Sequence, residues 1–484
     1  MRVLFVASEA FPLAKTGGLA DVAGALPVAL ARRGIDVRLM LPAYPSVLAG
    51  AEKQRDGLVL GNLLDAGETR LIEAEMPGSG LPLLLVDCPE LYARPGGPYQ
   101  QPDGPDWPDN HLRFGVLSQA AVRVAAGGAS RTWRPDILHG HDWQAGLVAA
   151  YLHFSDLLAV RSVFTIHNLR YQGIFTADVL PAVGLPVTAL AIDGMEFHSN
   201  ISYLKAGIAY ADRITTVSPT YAREIQTAEG GFGLDGLLRH RSGVLSGILN
   251  GIDEEHWSPH TDAYLEHPFD AATLPLKTHN KTALQRELGL PVEPDVPLLG
   301  MVTRLTEQKG IDMVVDALPR LLDRGVQVAV LGSGDAKWEQ ALSETASRSH
   351  RVAVRFGYDE PVAHRIIAAS DLFLMPSRFE PCGLTQMYAM RYGTLPVVRR
   401  TGGLADTVRD TLVPVPEDGN GTGFVIDGTS PGELIAAVDR ALALYAARPD
   451  WRRTQLRAMY QDFSWARAAD AYSEIYSGLA ESGQ

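Results

Sequence analysis

Short apolar runs, rich in β-branched residues, punctuate the chain and alternate with longer stretches whose apolar positions recur at helical spacing. In the first half the runs fall at residues 3–7, 37–41, 83–86, 137–139, 163–166 and 214–217, with helical patterns at 19–33 and 110–126 between them. The second half repeats the alternation at 298–303, 327–331, 352–356, 372–375 and 395–398. Such alternation predicts an α/β protein with parallel sheets covered by helices on both faces. From 310 to 325, Ile311, Val314, Val315, Leu318, Leu321 and Leu322 share one helical face, and Gly325 supplies a C-cap. Pro319 predicts a kink there, or a break into two short helices. Residues 256–275 show no period and read as a connecting excursion, whereas 451–479 regain helical spacing.

A chain of 484 residues exceeds one hydrophobic core. The pattern divides it into residues 1–245, residues 246–455 and a helical segment at 456–484. A net charge of −13 argues against non-specific binding to nucleic acid or anionic membrane, so an anionic ligand needs a local cluster of cations. The only cysteines, Cys88 and Cys382, have no metal-ligand spacing and suit a reducing, cytoplasmic setting. The first apolar run ends in Glu9 and reads as a strand, not a signal peptide, and no apolar stretch is long enough to span a membrane.

One phrase occurs twice. Thr16-Gly17-Gly18-Leu19-Ala20-Asp21 follows the first strand, and Thr401-Gly402-Gly403-Leu404-Ala405-Asp406 follows the last one. A Gly-Gly turn opening a helix presents N–H groups to an anion, and Lys15 adds a cation to the first copy. Thr303-Arg304-Leu305-Thr306-Glu307-Gln308-Lys309-Gly310 places two cations on a strand-end loop, where they suit a diphosphate that gains charge as its bond breaks. Ser377-Arg378-Phe379-Glu380-Pro381-Cys382-Gly383-Leu384-Thr385-Gln386 also follows a strand. There Glu380 is placed to accept hydrogen bonds from sugar hydroxyls, and Gly383 permits close backbone approach. Cys382 reads as a small packed residue.

His139-Gly140-His141-Asp142-Trp143 and Thr165-Ile166-His167-Asn168-Leu169 bring polar groups to the carboxyl ends of two more strands. His139 and His141 are expected to point to opposite faces, so that one metal would not take both. Either Asp142 or His167 is a candidate to position an acceptor hydroxyl or take its proton. Gly332-Ser333-Gly334-Asp335 offers a turn for a phosphate or ribose, Tyr358 a ring to stack on a base, and Asn250-Gly251-Ile252-Asp253 a turn at the presumed domain boundary.

In this order and spacing, the motifs resemble those of the ADP-glucose-dependent bacterial glycogen synthases, glycosyltransferase family five, shared with the plant starch synthases. The resemblance covers essentially the whole chain. It implies a GT-B fold, two Rossmann-like domains facing across a deep cleft, with the last helical segment returning to the first domain. It implies retaining transfer of glucose from ADP-glucose to the non-reducing end of an α-1,4-glucan such as glycogen, without cofactor or metal. Carried over, Lys15, Gly17 and Gly18 contact the donor phosphates, Arg304 and Lys309 neutralise departing ADP, and Glu380 contacts the donor. The Gly383, Leu384 and Thr385 backbone holds glucose and phosphate, Tyr358 stacks near adenine, and Asn250 and Gly332 lie on the donor side. His167 lies at the reacting glucose, with Asp142, Asp21 and Asn168 towards the acceptor. Many retaining enzymes of this fold carry a second glutamate eight positions after the first; here that position is Tyr388. A sugar-nucleotide epimerase or hydrolase, and a non-catalytic glucan-binding scaffold, are the rival readings of the same fold.

Overall fold

A computed structural model describes residues 1–128, 133–157 and 159–481. The chain divides into two compact units, Met1–Gly251 with Trp465–Gln484, and Ile252–Ser464. Each is an α/β unit built on a largely parallel sheet.

The first unit carries strands β1 (Arg2–Val6), β2 (Asp36–Pro42), β3 (Glu52–Asn62), β4 (Glu68–Glu75), β5 (Pro82–Asp87), β6 (Ile137–His141), β7 (Arg161–Ile166), β8 (Ile174–Thr176), β9 (Glu196–Phe197), β10 (Asn200–Ser202), β11 (Arg213–Thr216) and β12 (Leu245–Gly247). Nine form one sheet in the order β12-β11-β7-β6-β1-β2-β5-β4-β3, and β8, β10 and β9 form a small antiparallel sheet. From β1 the chain winds outward through β2 on one side and later through β6 and β7 on the other, so the topological switch point lies between β1 and β6. β3 and β4 make an antiparallel edge that the apolar pattern does not reveal. The reason is physical: β3 begins Glu52-Lys53-Gln54-Arg55-Asp56 and is mostly exposed, and a charged edge strand discourages further pairing.

The second unit has β13 (Leu298–Val302), β14 (Gln327–Gly332), β15 (Val352–Phe356), β16 (Leu372–Met375), β17 (Leu395–Arg399) and β18 (Phe424–Ile426) in the order β15-β14-β13-β16-β17-β18, with every pairing parallel. Its switch point lies between β13 and β16. Apart from the partly exposed edge strand β15, these strands are almost wholly buried, as a sheet with helices on both faces requires.

Pro319 causes no break. Ile311–Leu322 is one helix with Pro319 inside it, exposed and in the last turn, while Ile311, Val314, Leu318 and Leu321 face the core with Met313 and Ala317. The unit boundaries also differ from the expected residues 245 and 455. Ile248 N–H still bonds the Thr216 carbonyl at 2.8 Å, extending the first sheet past 245. The helix Arg448–Met459 stays with the second unit, where Gln455 Nε2 donates to the Gly393 carbonyl at 2.6 Å. A bend follows, with Ser464 N–H bonded to Asp462 Oδ1 at 2.9 Å, and the helix Trp465–Glu481 packs on the first unit. There Tyr476 and Tyr472 pack on His139, and the Tyr476 hydroxyl lies 2.7 Å from its Nδ1. Residues 482–484 of the expected segment lie outside the described residues.

Candidate active site

In the first unit the assigned residues gather at the carboxyl ends of β1, β6 and β7, flanking the switch point. After β1, Glu9 is buried and its Oε2 accepts from Thr16 N–H at 2.5 Å and Thr16 Oγ1 at 2.6 Å. Burial raises the Glu9 pKa, and the Thr16 hydrogen bonds pull the other way. Glu9 therefore anchors the loop that presents Lys15, Gly17 and Gly18, a role that carries no signal in the sequence. Lys15 Nζ lies 2.7 Å from Asp21 Oδ1, on the first turn of the helix Gly18–Ala31, and 5.2 Å from the centroid of the Phe11 ring. The Gly17-Gly18 turn is exposed; a Cβ on Gly18 would meet nothing within 4 Å, so the space beside the backbone is open.

At the end of β6, Asp142 takes φ 54° and ψ −175°, a region that side-chain-bearing residues rarely occupy. Its Oδ1 accepts from the His167 N–H at 2.7 Å and the Asn168 N–H at 3.4 Å, clasping the end of β7 to that of β6. Burial pushes its carboxyl up to about 7, against those two hydrogen bonds. His167 is also buried, which lowers its pKa to about 3 and keeps the imidazole neutral. Of the two candidates for taking a proton, Asp142 thus has the higher proton affinity and His167 the lower.

His141, to which no role was assigned from sequence, turns out to hold His167: its Nδ1 lies 3.0 Å from His167 Nε2, and its ring stacks on Phe5 at 3.8 Å. The expectation that His139 and His141 point apart is wrong. Positions two apart in a strand share a face, and the two rings lie 4.0 Å apart, centroid to centroid. His139 is structural, with Nδ1 facing Tyr476 and Nε2 2.6 Å from Thr165 Oγ1.

In the second unit the Arg304 loop follows β13 and the Glu380 loop follows β16, so both flank that switch point. Lys309 Nζ lies 2.6 Å from Glu380 Oε2, and Ser377 Oγ donates to the same oxygen at 3.0 Å. Glu380 is buried and Lys309 largely so; Arg304, on the same loop, is exposed. Gly310 lets the loop turn at φ 71°, where a Cβ would lie 2.2 Å from the Pro376 carbonyl oxygen. Gly332 ends β14 so close to the Arg304 loop that a Cβ would lie 1.8 Å from the Thr303 carbonyl oxygen. Gly383 adopts φ 70° just before Leu384 and the helix Thr385–Arg391. Tyr358 presents an exposed ring after β15. Tyr388, where a second glutamate was looked for, is a buried ring stacked on Trp257 at 3.9 Å.

The second Thr-Gly-Gly copy is buried where the first is exposed. A Cβ on Gly402 would lie 1.9 Å from the Glu380 carbonyl oxygen, and one on Gly403 would lie 2.1 Å from that of Cys382. Gly403 N–H bonds the Glu380 carbonyl at 3.1 Å. This copy is a buttress under the Glu380 loop. Asn250, the remaining donor-side assignment, is buried at the end of the first unit's main segment.

A family profile described as the starch synthase catalytic domain matches residues 2–240, and one described as glycosyl transferases group 1 matches residues 285–456. Glycogen synthase of Rhodospirillum rubrum is 52% identical over 482 residues, covering 99% of this chain and 98% of that protein. Glycogen synthase of Paramagnetospirillum magneticum is 50% identical over 486 residues, covering 100% and 98%. The catalytic domain of starch synthase IV from Arabidopsis thaliana, solved bound to ADP and acarbose, superposes with a TM-score of 0.87 at 34% identity and covers 99% of both chains. The fold and the strand-end motifs are those of a GT-B glycosyltransferase. Within that class, the chain belongs to the glycogen and starch synthase family.

Proposed function

We propose that this glycosyltransferase moves glucose from ADP-glucose to the non-reducing end of an α-1,4-glucan with retention of configuration, elongating glycogen in the cytoplasm. The observation that carries the reading is the meeting of Lys309, Glu380 and Ser377 where β13 and β16 diverge, with Arg304 on the same loop. Relatives named glycogen synthase at half identity and an ADP-bound starch synthase of the same fold support it. Among the described residues, no helix is long and apolar enough to cross a membrane.

In this reading the bond from glucose C1 to the diphosphate oxygen breaks as the acceptor O4 bonds C1 on the same face. The acceptor's proton passes to the departing diphosphate oxygen. Arg304 and Lys309 stabilise the charge that develops there, and Lys15 with the Gly17-Gly18 turn binds donor phosphate; preorganised charge supplies most of the rate. Glu380 and the Gly383, Leu384 and Thr385 backbone hold the donor sugar and phosphate, with Tyr358 at adenine and Asn250 and Gly332 on the donor side. His167, neutral and anchored by His141 and the Asp142 clasp, positions the reacting glucose, and Asp21 and Asn168 serve the acceptor. No step calls on a metal.

The test is to mix the protein with glycogen and either ADP-glucose or UDP-glucose and to follow nucleotide release and polymer growth together. Coupled release and growth with ADP-glucose are expected. Release without growth would mark a hydrolase or epimerase, and no reaction with either donor a binding scaffold.

A further inference from the structure

The second unit holds a cluster of ligating side chains that the transfer reaction does not use. Glu360 and His364 sit one turn apart on the helix Glu360–Ala369, and His256 comes from the excursion at 256–275. Each offers one ligand atom, and the three atoms lie within 4.8 Å of one another. His256 Nε2 is 3.0 Å from Glu360 Oε1. The ring of His364 is completely buried, and its Nδ1 lies 2.8 Å from Asp262 Oδ2. That oxygen also accepts from the Tyr392 hydroxyl at 2.6 Å, while Asp262 Oδ1 accepts from Tyr264 N–H at 2.9 Å. An acceptor so occupied is an ionised carboxylate, which places a proton on His364 Nδ1; in the neutral imidazole Nε2 then carries the lone pair. His364 Nε2 is buried and has no hydrogen-bond partner among the described residues. A buried acceptor left without a partner is costly and calls for an explanation.

We propose that His256, Glu360 and His364 bind a divalent zinc-like cation that pins the excursion to the helix Glu360–Ala369. Two imidazoles and a carboxylate suit Zn²⁺ over the harder Mg²⁺ or Ca²⁺. In a tetrahedral site at ordinary zinc distances the ligand atoms stand about 3.3 Å apart. The His256–Glu360 pair is already near that spacing, and both side chains are partly exposed and can adjust. His364 is the fixed ligand: Asp262 sets its tautomer, as outer carboxylates do for metal-bound histidines, and Trp257 stacks on its ring at 3.7 Å. Tyr388, on the helix that follows the Glu380 loop, also stacks on Trp257, at 3.9 Å.

The test titrates chelator-treated full-length protein with Zn²⁺ by calorimetry and with Co²⁺ by visible absorption, alongside His256→Gln and Glu360→Gln. These partly exposed positions can be changed without opening the core. Expected are one Zn²⁺ per chain, a melting temperature raised by a few degrees, a tetrahedral Co²⁺ spectrum, and affinity at least roughly tenfold weaker in either variant. Failure of the parent chain to bind Zn²⁺ stoichiometrically, or equal binding by His256→Gln, would overturn the site. Neither result depends on glucosyl transfer.

Discussion

Lys309 Nζ and Glu380 Oε2 meet at 2.6 Å across the switch point of the second unit, although 71 residues separate them in sequence. Both side chains are mostly withdrawn from water. In the proposed reaction Lys309→Ala removes a cation from the departing diphosphate, and it also strands a buried carboxylate. Turnover at saturating ADP-glucose should fall by roughly 10²–10³, and the melting temperature should fall too. Adding Glu380→Gln should restore stability by about 1–3 kcal/mol relative to the single variant while turnover stays low. Unchanged turnover in Lys309→Ala would remove it from the chemistry.

The two Thr-Gly-Gly copies make opposite predictions. Gly18 opens the helix Gly18–Ala31 with nothing beside it, so Gly18→Ala should change stability by no more than about 0.5 kcal/mol. On the proposed donor role of this turn it should raise KM for the sugar nucleotide, because a methyl then stands where the phosphate would approach. Gly403 has the Cys382 carbonyl oxygen 2.1 Å from the position of a Cβ, so Gly403→Ala must displace the Glu380 loop. It should cost about 2 kcal/mol or more and lower turnover with it. Thermal melts and initial rates on both variants separate a ligand-facing turn from a structural one.

The two large sheets were legible in sequence because their central strands are buried on both faces and therefore spell continuous apolar runs. The edge strand β3 was not, since its charged face mimics a loop, and the three-residue β18 is too short to show a pattern. The strand-end motifs located the candidate site, because ligands of this fold class meet the carboxyl ends of strands. Contacts between distant residues carried no sequence signal. Nothing in the chain announces that Glu9 holds Thr16, that His141 holds His167, or that the second Gly-Gly turn supports Glu380. Of the two outcomes Pro319 predicts, the break does not occur: the helix Ile311–Leu322 runs through it.

Asp142 makes stability depend on pH in an identifiable direction. Its carboxyl titrates near 3.8 in the unfolded chain and about 7 in the fold. Between those values the folded state keeps a proton that the unfolded state has lost, so this group's contribution declines as pH rises, by about 1.4 kcal/mol per unit. The buried His139, His141 and His167, whose pKa values burial lowers, act in the opposite sense. The measurement is therefore a difference. The stability of Asp142→Asn relative to the parent should rise from pH 5 to pH 7 and level off above. A difference independent of pH would mean that Asp142 is ionised throughout.

His167 should work as a neutral imidazole. Burial holds its pKa at about 3, so it does not titrate between pH 5 and 8, and its Nε2 lies against His141 Nδ1 at 3.0 Å. His167→Gln should lower kcat by roughly tenfold or more, through loss of a positioned hydrogen bond, and leave the shape of the kcat/KM profile unchanged. His141→Phe keeps a ring against Phe5 but removes the partner of His167. It should reproduce much of the kcat loss with little change in melting temperature. Were His167 instead the base that accepts the acceptor's proton, His167→Gln would abolish a limb of the profile near pH 6.5, and His141→Phe would displace that limb. Profiles of the parent and both variants from pH 5 to 9 decide between a hydrogen-bonding and a proton-accepting His167.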